Sequence, residues 1–328
     1  MIRVLAGDCR DVLPTLEAEA FDCVLTSPPY WGLRDYGVGG QIGLEPTLDL
    51  YLETMAGVCR EIRRVLKPGG TFWLNVGDCY AGSWGAQSRE HAGKHAPNVS
   101  AMSANQVKAA QIRTGTGSAS RTGLKPKDLC MVPNRLALLL QADGWWVRSE
   151  IIWAKPNPMP ESVTDRPTSA HEKVWLLTKS ERYFYDAEAI AEPLERPEEA
   201  DRLTPAKFGG ANKFTEAKKQ SRLYSGNEYR GTPTGTRNSR NVWQIASQPY
   251  KGTHFATMPP TLAERCILAG CPMGGHVLDP FGGVGTTALV ADRLGRNATL
   301  IDLKPDYCRQ ALDRCRADAP LLVEALAV

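Results

Sequence analysis

The chain has 328 residues, of which 42% are hydrophobic and 23% charged, and its formal net charge is +3. This is an ordinary globular composition, long enough for one sizeable core or a core plus a small module, and it excludes a fibrous or wholly disordered chain. The slight basic excess permits a nucleic-acid partner without demanding one.

In chain order, Ile2 to Leu5 reads as a short apolar strand running into a turn at Gly7-Asp8, which is not the pattern of a signal peptide. Phe21 to Leu25 is a second strand. Leu48 to Leu66 has helical spacing through Leu52, Met55, Val58, Ile62 and Val65; Lys67-Pro68-Gly69-Gly70 stops it, and Thr71 to Val76 is extended again. Strands alternating with helices imply a parallel sheet. From Ala81 to Lys127 the pattern dissolves into Gly, Ser, Ala, Arg and Lys, and reads as a long mobile insertion. A helix over Pro133 to Ala142 and strands over Trp146 to Trp153 and Lys173 to Thr178 follow. A second polar stretch, Glu192 to Arg240, carries many Lys and Arg with Phe208, Phe214, Tyr224 and Tyr229 between them. From Leu262 onward the βαβ pattern resumes and runs to a final helix over Pro305 to Ala317. No apolar run approaches the roughly 20 residues of a membrane span. The nine cysteines contain no C-x-x-C pair, so they read as reduced, mostly buried thiols of a cytoplasmic protein, with no metal site.

Two motifs carry chemistry. Near the end, Val277-Leu278-Asp279 is a strand running through Pro280-Phe281-Gly282-Gly283-Val284-Gly285 into a helix opened by Thr286-Thr287. A nucleotide-like cofactor sits at such a turn in an open α/β sheet. The next strand, Asn297 to Ile301, delivers Asp302, whose carboxylate is placed to accept hydrogen bonds from ribose hydroxyls. Gly283 to Ala288 also fits the dinucleotide pattern G-x-G-x-x-A, which raises a nicotinamide oxidoreductase as a rival; a phosphate loop is excluded because no Lys follows the glycines. Near the start, Thr26-Ser27-Pro28-Pro29-Tyr30 ends an apolar strand with a hydroxyl, a stiff carbonyl and an aromatic face. Taken alone, this motif reads equally well as a rigid turn.

In this order the two motifs resemble the amino-directed DNA methyltransferases that use S-adenosylmethionine, specifically the permuted, beta-class branch whose catalytic motif precedes its cofactor motif. Gly7-Asp8-Cys9 with Val12-Leu13, Arg64 to Gly70, Ile151 to Pro158 and His254-Phe255-Ala256-Thr257 also match. The resemblance implies a Rossmann-like α/β fold with a mixed, mostly parallel sheet, circularly permuted, plus irregular recognition inserts. The single domain 1–328 then comprises a catalytic half (1–80), the insertion (81–127), a sheet continuation (128–191), a target-recognition region (192–245) and a cofactor half (246–328). S-adenosylmethionine would meet Asp279, Phe281, Gly283, Gly285 and Thr286, with Asp8 at the adenine amino group and His254, Phe255 and Thr257 toward the methionine end. Asp302 would hold the ribose, and three of these cofactor-site residues have plainer readings: Asp8 as a turn cap, Asp302 as a cap ahead of Pro305, and His254 as an ordinary surface or packed histidine.

Ser27, Pro28, Pro29 and Tyr30 would hold a base flipped out of double-stranded DNA. Acceptors on the amine N–H, namely Ser27 Oγ and the Pro28 carbonyl, free the nitrogen lone pair for in-line attack on the methyl group, while Tyr30 stacks on the base. Ser at the first motif position points, in this family, to cytosine N4, with adenine N6 as the alternative. Carbon-5 methylation is set aside, because the only cysteine beside a proline is Cys271, in the turn before the cofactor strand. Arg34, Lys155, Asn157, Arg222, Arg230, Arg237 and Arg240 are the expected DNA contacts. A cognate restriction nuclease as partner, and a monomer or a homodimer, stay open.

Overall fold

The structure, a computed structural model, describes residues 1–32, 37–81, 122–194, 236–248 and 258–318. The chain divides into two compact units, residues 1–185 with 241–328, and residues 186–240. In chain order the strands are β1 (Ile2–Ala6), β2 (Phe21–Thr26), β3 (Leu66–Val76), β4 (Trp146–Ala154), β5 (His171–Thr178), β6 (Glu192–Pro193), β7 (Thr236–Arg237), β8 (Val242–Gln244), β9 (His276–Asp279) and β10 (Asn297–Asp302). The helices are α1 (Cys9–Val12), α2 (Leu48–Val65), α3 (Val132–Ala142), α4 (Pro260–Gly270), α5 (Thr286–Arg293) and α6 (Pro305–Asp318).

The main unit is built on one sheet of order β1-β10-β9-β2-β3-β5-β4-β8. Neighbours from β1 through β3 are parallel, β5 is antiparallel to both β3 and β4, and β8 is parallel to β4. The sheet is therefore mixed and mostly parallel. β8 falls within the stretch that the sequence assigns to target recognition, and it adds an edge strand to the main sheet.

α2 begins where Thr47 Oγ1 accepts a hydrogen bond from Leu50 N (3.2 Å). Its apolar stripe, Leu48, Tyr51, Leu52, Met55, Val58, Cys59, Ile62 and Val65, is buried against Phe72 and Leu74 of β3 and Leu136 and Leu140 of α3. Each such aliphatic side chain contributes about 1.5–3 kcal/mol relative to exposure. Thr71 and Trp73 point the opposite way by the period of two and meet α4, where Thr71 Oγ1 donates to Gly270 O (2.8 Å). The helices thus cover both faces of the sheet.

The break expected at Lys67-Pro68-Gly69-Gly70 takes another form. Leu66 is already extended at the end of α2 (φ −77°, ψ 135°), so β3 starts there without a loop. The register against β2 shifts between Phe21↔Leu66 and Cys23↔Thr71, which makes the Lys-Pro-Gly-Gly segment a bulge in the strand. All nine cysteines are free thiols, and all but Cys79 are buried. Among the described residues no helix is long and apolar enough to cross a membrane.

β9 leads through α5 to β10 on one side, while β2 leads through α2 to β3 on the other. The winding reverses between β9 and β2, and a crevice opens at their carboxyl ends. Both sequence motifs emerge there.

In the second unit, β6 and β7 form an antiparallel pair with Glu192 opposite Arg237. Its Arg222 and Arg230 lie outside the described residues, as does most of the insertion expected at 81–127.

Candidate active site

Across the reversal, Thr26 Oγ1 of β2 donates to Asp279 Oδ1 of β9 at 2.6 Å. Thr287 Oγ1 of α5 donates to Asp279 Oδ2 (2.7 Å), and Phe281 N donates to Oδ1 (3.1 Å). The carboxylate thereby ties together β2, β9 and α5, the helix after the glycine turn. Burial raises the Asp279 carboxyl to about 6, against these hydrogen bonds, which lower it. Because the folded-state value lies above the ordinary 3.8, the stability it contributes is present below about pH 4 and is lost as pH rises through about 6. We expect a loss of about 3 kcal/mol over that window, and Asp279→Asn should flatten the pH dependence of the denaturation midpoint there. An unchanged slope would remove Asp279 as its source.

The glycine turn is shaped by packing as well as by access. Gly285 has φ +82°, and a Cβ there would lie 2.7 Å from Ala311 Cβ of α6. Gly285 is absent from the cavity wall, whereas Gly283 is part of it. The missing side chain of Gly285 also lets α6 close on the turn. Gly285→Ala should therefore cost about 2–4 kcal/mol of stability, combining left-handed backbone strain with overpacking. A chemical-denaturation midpoint equal to the parent's would contradict this.

Asp302 ends β10, with Oδ2 accepting from Gly283 N and Oδ1 from Lys304 N, each at 2.8 Å. It is thus both a turn cap and a cavity-lining carboxylate. Burial raises its carboxyl above the usual range. Asp8 also has both roles: it caps α1 through Arg10 N (2.9 Å) and faces the cavity. Arg10 Nε and Nη2 grip its two oxygens (3.0 and 2.6 Å), and this bonding holds the Asp8 carboxyl below the usual carboxylate range. Phe281 and Thr286 line the same cavity of about 280 Å³. His254, Phe255 and Thr257 lie outside the described residues.

Ser27, Pro28, Pro29 and Tyr30 form the facing wall. Tyr51 of α2 donates its hydroxyl to Pro29 O (3.0 Å), which fixes the proline turn to the core. A Cβ on Gly77 would lie 2.4 Å from the Tyr30 ring, so the ring rests on bare backbone at the end of β3. The Tyr30 hydroxyl donates to Glu172 Oε2 (2.6 Å) and receives from Ser27 Oγ (3.3 Å). Asn75 Nδ2 donates to the same Glu172 oxygen (3.1 Å), and Lys155 Nζ is paired with Glu172 Oε1.

Several expected DNA contacts have other partners. The ammonium of Lys155, expected at a phosphate, points into the cavity wall, paired with Glu172 and 4.4 Å from the centre of the Trp153 ring. Asn157 spends its amide on the backbone of Ser247, donating to the carbonyl (3.0 Å) and accepting from the N–H (2.9 Å). These two bonds brace the loop. In the second unit, Arg237 and Arg240 both pair with Glu192. Arg34 lies outside the described residues.

Glu172 and Asn75 escape the sequence reading. The signal was a polar residue in an otherwise buried strand, Asn75 between Leu74 and Val76, and a carboxylate at the start of β5 opposite Trp153. Neither indicates which strands will be neighbours.

A glycine turn at a sheet's winding reversal, facing a wall of hydrogen-bond acceptors and an aromatic ring, defines an α/β enzyme that holds a nucleotide-like cofactor beside a planar substrate. Residues 21–313 match the profile of the N6/N4 methyltransferase family, described as DNA methylase. The Type II methyltransferase M.SmaI of Serratia marcescens is 42% identical over 312 residues, 95% of this chain and 90% of that protein. M.XycI of Xanthomonas campestris pv. cyanopsidis is 41% identical over 308 residues, covering 94% and 85%. The chain belongs to this family of DNA methylases. Solved structures share the fold. PvuII DNA methyltransferase, described as cytosine-N4-specific, superposes with a TM-score of 0.58 at 18% identity, covering 94% of this chain and 84% of that one. TTHA0409 of Thermus thermophilus, complexed with S-adenosyl-L-methionine, gives 0.57 at 22% identity, covering 100% and 98%.

Proposed function

We propose that the protein transfers a methyl group from S-adenosylmethionine to the N4 amine of a cytosine flipped out of duplex DNA. The observation that carries this reading is that Ser27 and Tyr30 line one cavity together with Asp279, Gly283 and Asp302. The residues present suit the cofactor. Each Asp302 oxygen accepts one backbone N–H and keeps a lone pair for one hydroxyl of a vicinal diol. Phe281 and Gly283 line the same cavity, and Asp8 Oδ2, which accepts one bond from Arg10, keeps a lone pair for an exocyclic amine. When bound, S-adenosylmethionine supplies an electrophilic methyl group whose bonding pair stays with sulfur.

The chain's part is positioning and polarisation. Ser27 Oγ and the Pro28 carbonyl accept the amine hydrogens and draw the nitrogen toward tetrahedral geometry. The Tyr30 face holds the base, worth about 1–3 kcal/mol per stacked base. Ser27 in place of a carboxylate favours cytosine. The order of the motifs, with Ser27 to Tyr30 preceding Asp279 to Gly285, supports the permuted, beta-class assignment, as does α6 packing beside β1 at the sheet edge where the order would close.

The test is incubation with mixed-sequence duplex DNA and labelled S-adenosylmethionine, followed by digestion to nucleosides and mass spectrometry. Label in N4-methylcytosine supports the reading. Label in N6-methyladenine overturns the base assignment alone, and no labelled nucleoside overturns the reaction.

A further inference from the structure

The geometry points to a proton relay running from Ser27 through Tyr30 to Glu172, which carries away the proton that the target amine loses, with Lys155 and Asn75 as positioning residues for the terminal carboxylate. The inference rests on the methyl-transfer reading above and adds residues and a step to it.

The direction of the chain follows from the donors available. The Tyr30 hydroxyl has one proton, and its oxygen lies 2.6 Å from Glu172 Oε2 against 3.3 Å from Asn75 Oδ1. The shorter contact takes it. Asn75 Nδ2 donates to the same Glu172 oxygen (3.1 Å) and to Lys173 O (3.2 Å), which orients the amide. Lys155 Nζ occupies the other carboxylate oxygen and is only 19% exposed. Burial, and next the Glu172 charge, hold the Tyr30 phenol well above its ordinary range, so it acts as a donor and not as a standing phenolate. With Tyr30 committed to Glu172, its oxygen receives the Ser27 proton (3.3 Å). The Ser27 lone pairs are then left to accept from an amine in the cavity.

A lone hydroxyl is a weak acceptor, but one whose own proton is drawn along a chain ending in a carboxylate is a stronger one. Glu172 thus provides, two hydrogen bonds away, the negative charge that a carboxylate at the Ser27 position would offer directly. The step balances. The amine lone pair forms the N–C bond while the C–S pair stays on sulfur. The amine then gives one proton to Ser27 Oγ, Ser27 gives its own to the Tyr30 oxygen, and Tyr30 gives its own to Glu172 Oε2. Ser27 and Tyr30 end unchanged, and the neutral Glu172 carboxyl returns its proton to water.

The experiment compares single-turnover transfer of labelled methyl into mixed-sequence duplex DNA, all nucleosides counted, for the parent, Glu172→Gln, Tyr30→Phe and the double variant. Calorimetry gives each variant's Kd for S-adenosylmethionine. Gln keeps the size of Glu172 and an acceptor for Tyr30 but takes no proton. Each single change should slow transfer at least about thirtyfold and leave Kd within about twofold. The double variant should be no slower than the slower single, because a chain in series is broken only once. The ratio of rates in H2O and D2O should be larger for the parent than for either variant. A Glu172→Gln rate within about threefold of the parent overturns the relay. So do multiplicative effects in the double variant, or a Glu172→Gln defect that lies in cofactor binding. A parent that labels adenine overturns only the base assignment, whereas a parent that labels nothing overturns the reaction and the relay together.

Discussion

Asp302→Ala should weaken S-adenosylmethionine binding at least about a hundredfold. A hydrogen bond to a charged group is worth about 1.5–3 kcal/mol, the carboxylate can serve both ribose hydroxyls, and each 1.4 kcal/mol is about tenfold in Kd. Two bonds therefore give about 3–6 kcal/mol, of which a hundredfold loss is the lower end. The same substitution strips Gly283 N and Lys304 N of their acceptor, which loosens the turn and adds to the loss. Asp302→Asn keeps one acceptor oxygen and should lie in between, at about tenfold. Calorimetric titration reads both values. A Kd for Asp302→Ala within about threefold of the parent would remove Asp302 from the cofactor site.

Tyr30→Ala should do the opposite, slowing methyl transfer at least about 150-fold, from the lost hydroxyl and the lost stacking together, while Kd for the cofactor stays within about threefold. The ring contributes base stacking of about 1–3 kcal/mol, and its hydroxyl is the only bridge seen between Ser27 and Glu172 among the described residues. Tyr30 does not touch the Asp279 carboxylate, which holds the glycine turn through Thr26, Thr287 and Phe281 N. Single-turnover rates at saturating cofactor separate the two properties. Equal losses of cofactor affinity in Tyr30→Ala and Asp302→Ala would show that the two walls of the cavity are not independent.

The elements that self-contained patterns mark were legible in advance. The spacing from Leu48 to Leu66, the strand ending at Val76 and the strand-turn-helix around Asp279 each encode themselves within about 20 residues, and the structure moves their ends by a residue or two, except that the strand starts at Leu66 and not at Thr71. The segment after α2 was misread because Pro68 and the two glycines signal a stop, while β2 alongside lets the strand begin early and absorb them as a bulge. Within the site, Ser27 to Tyr30 and Asp302 were legible because each stands at the carboxyl end of a strand recognisable from its neighbours. The cluster of Asn75, Lys155 and Glu172 was not. Its members come from β3, the residue after β4, and β5, and only the insertion of β5 antiparallel between the other two strands brings Glu172 opposite Trp153 and within reach of Tyr30. Strand order in space is not written in any local pattern, so Lys155 read as a phosphate contact and its pairing with Glu172 was not visible. The glycine at 285 was recognised for its backbone freedom, while its second reason, the close approach of Ala311, depends on a helix that packs back from later in the chain.

The bond between Thr26 and Asp279 joins residues 253 positions apart, which sets a schedule for biosynthesis. β2 and β1 are among the first strands made, yet their sheet neighbours β9 and β10 are the last. At about 5–20 residues per second, the β9-facing edge of β2 waits roughly 13–50 s on the ribosome before its neighbour exists. During that interval the β2–β3 pair presents an apolar, unpaired strand edge, the feature that invites pairing with other chains. The centre of the sheet, where the candidate site lies, therefore closes only in the last stage of synthesis.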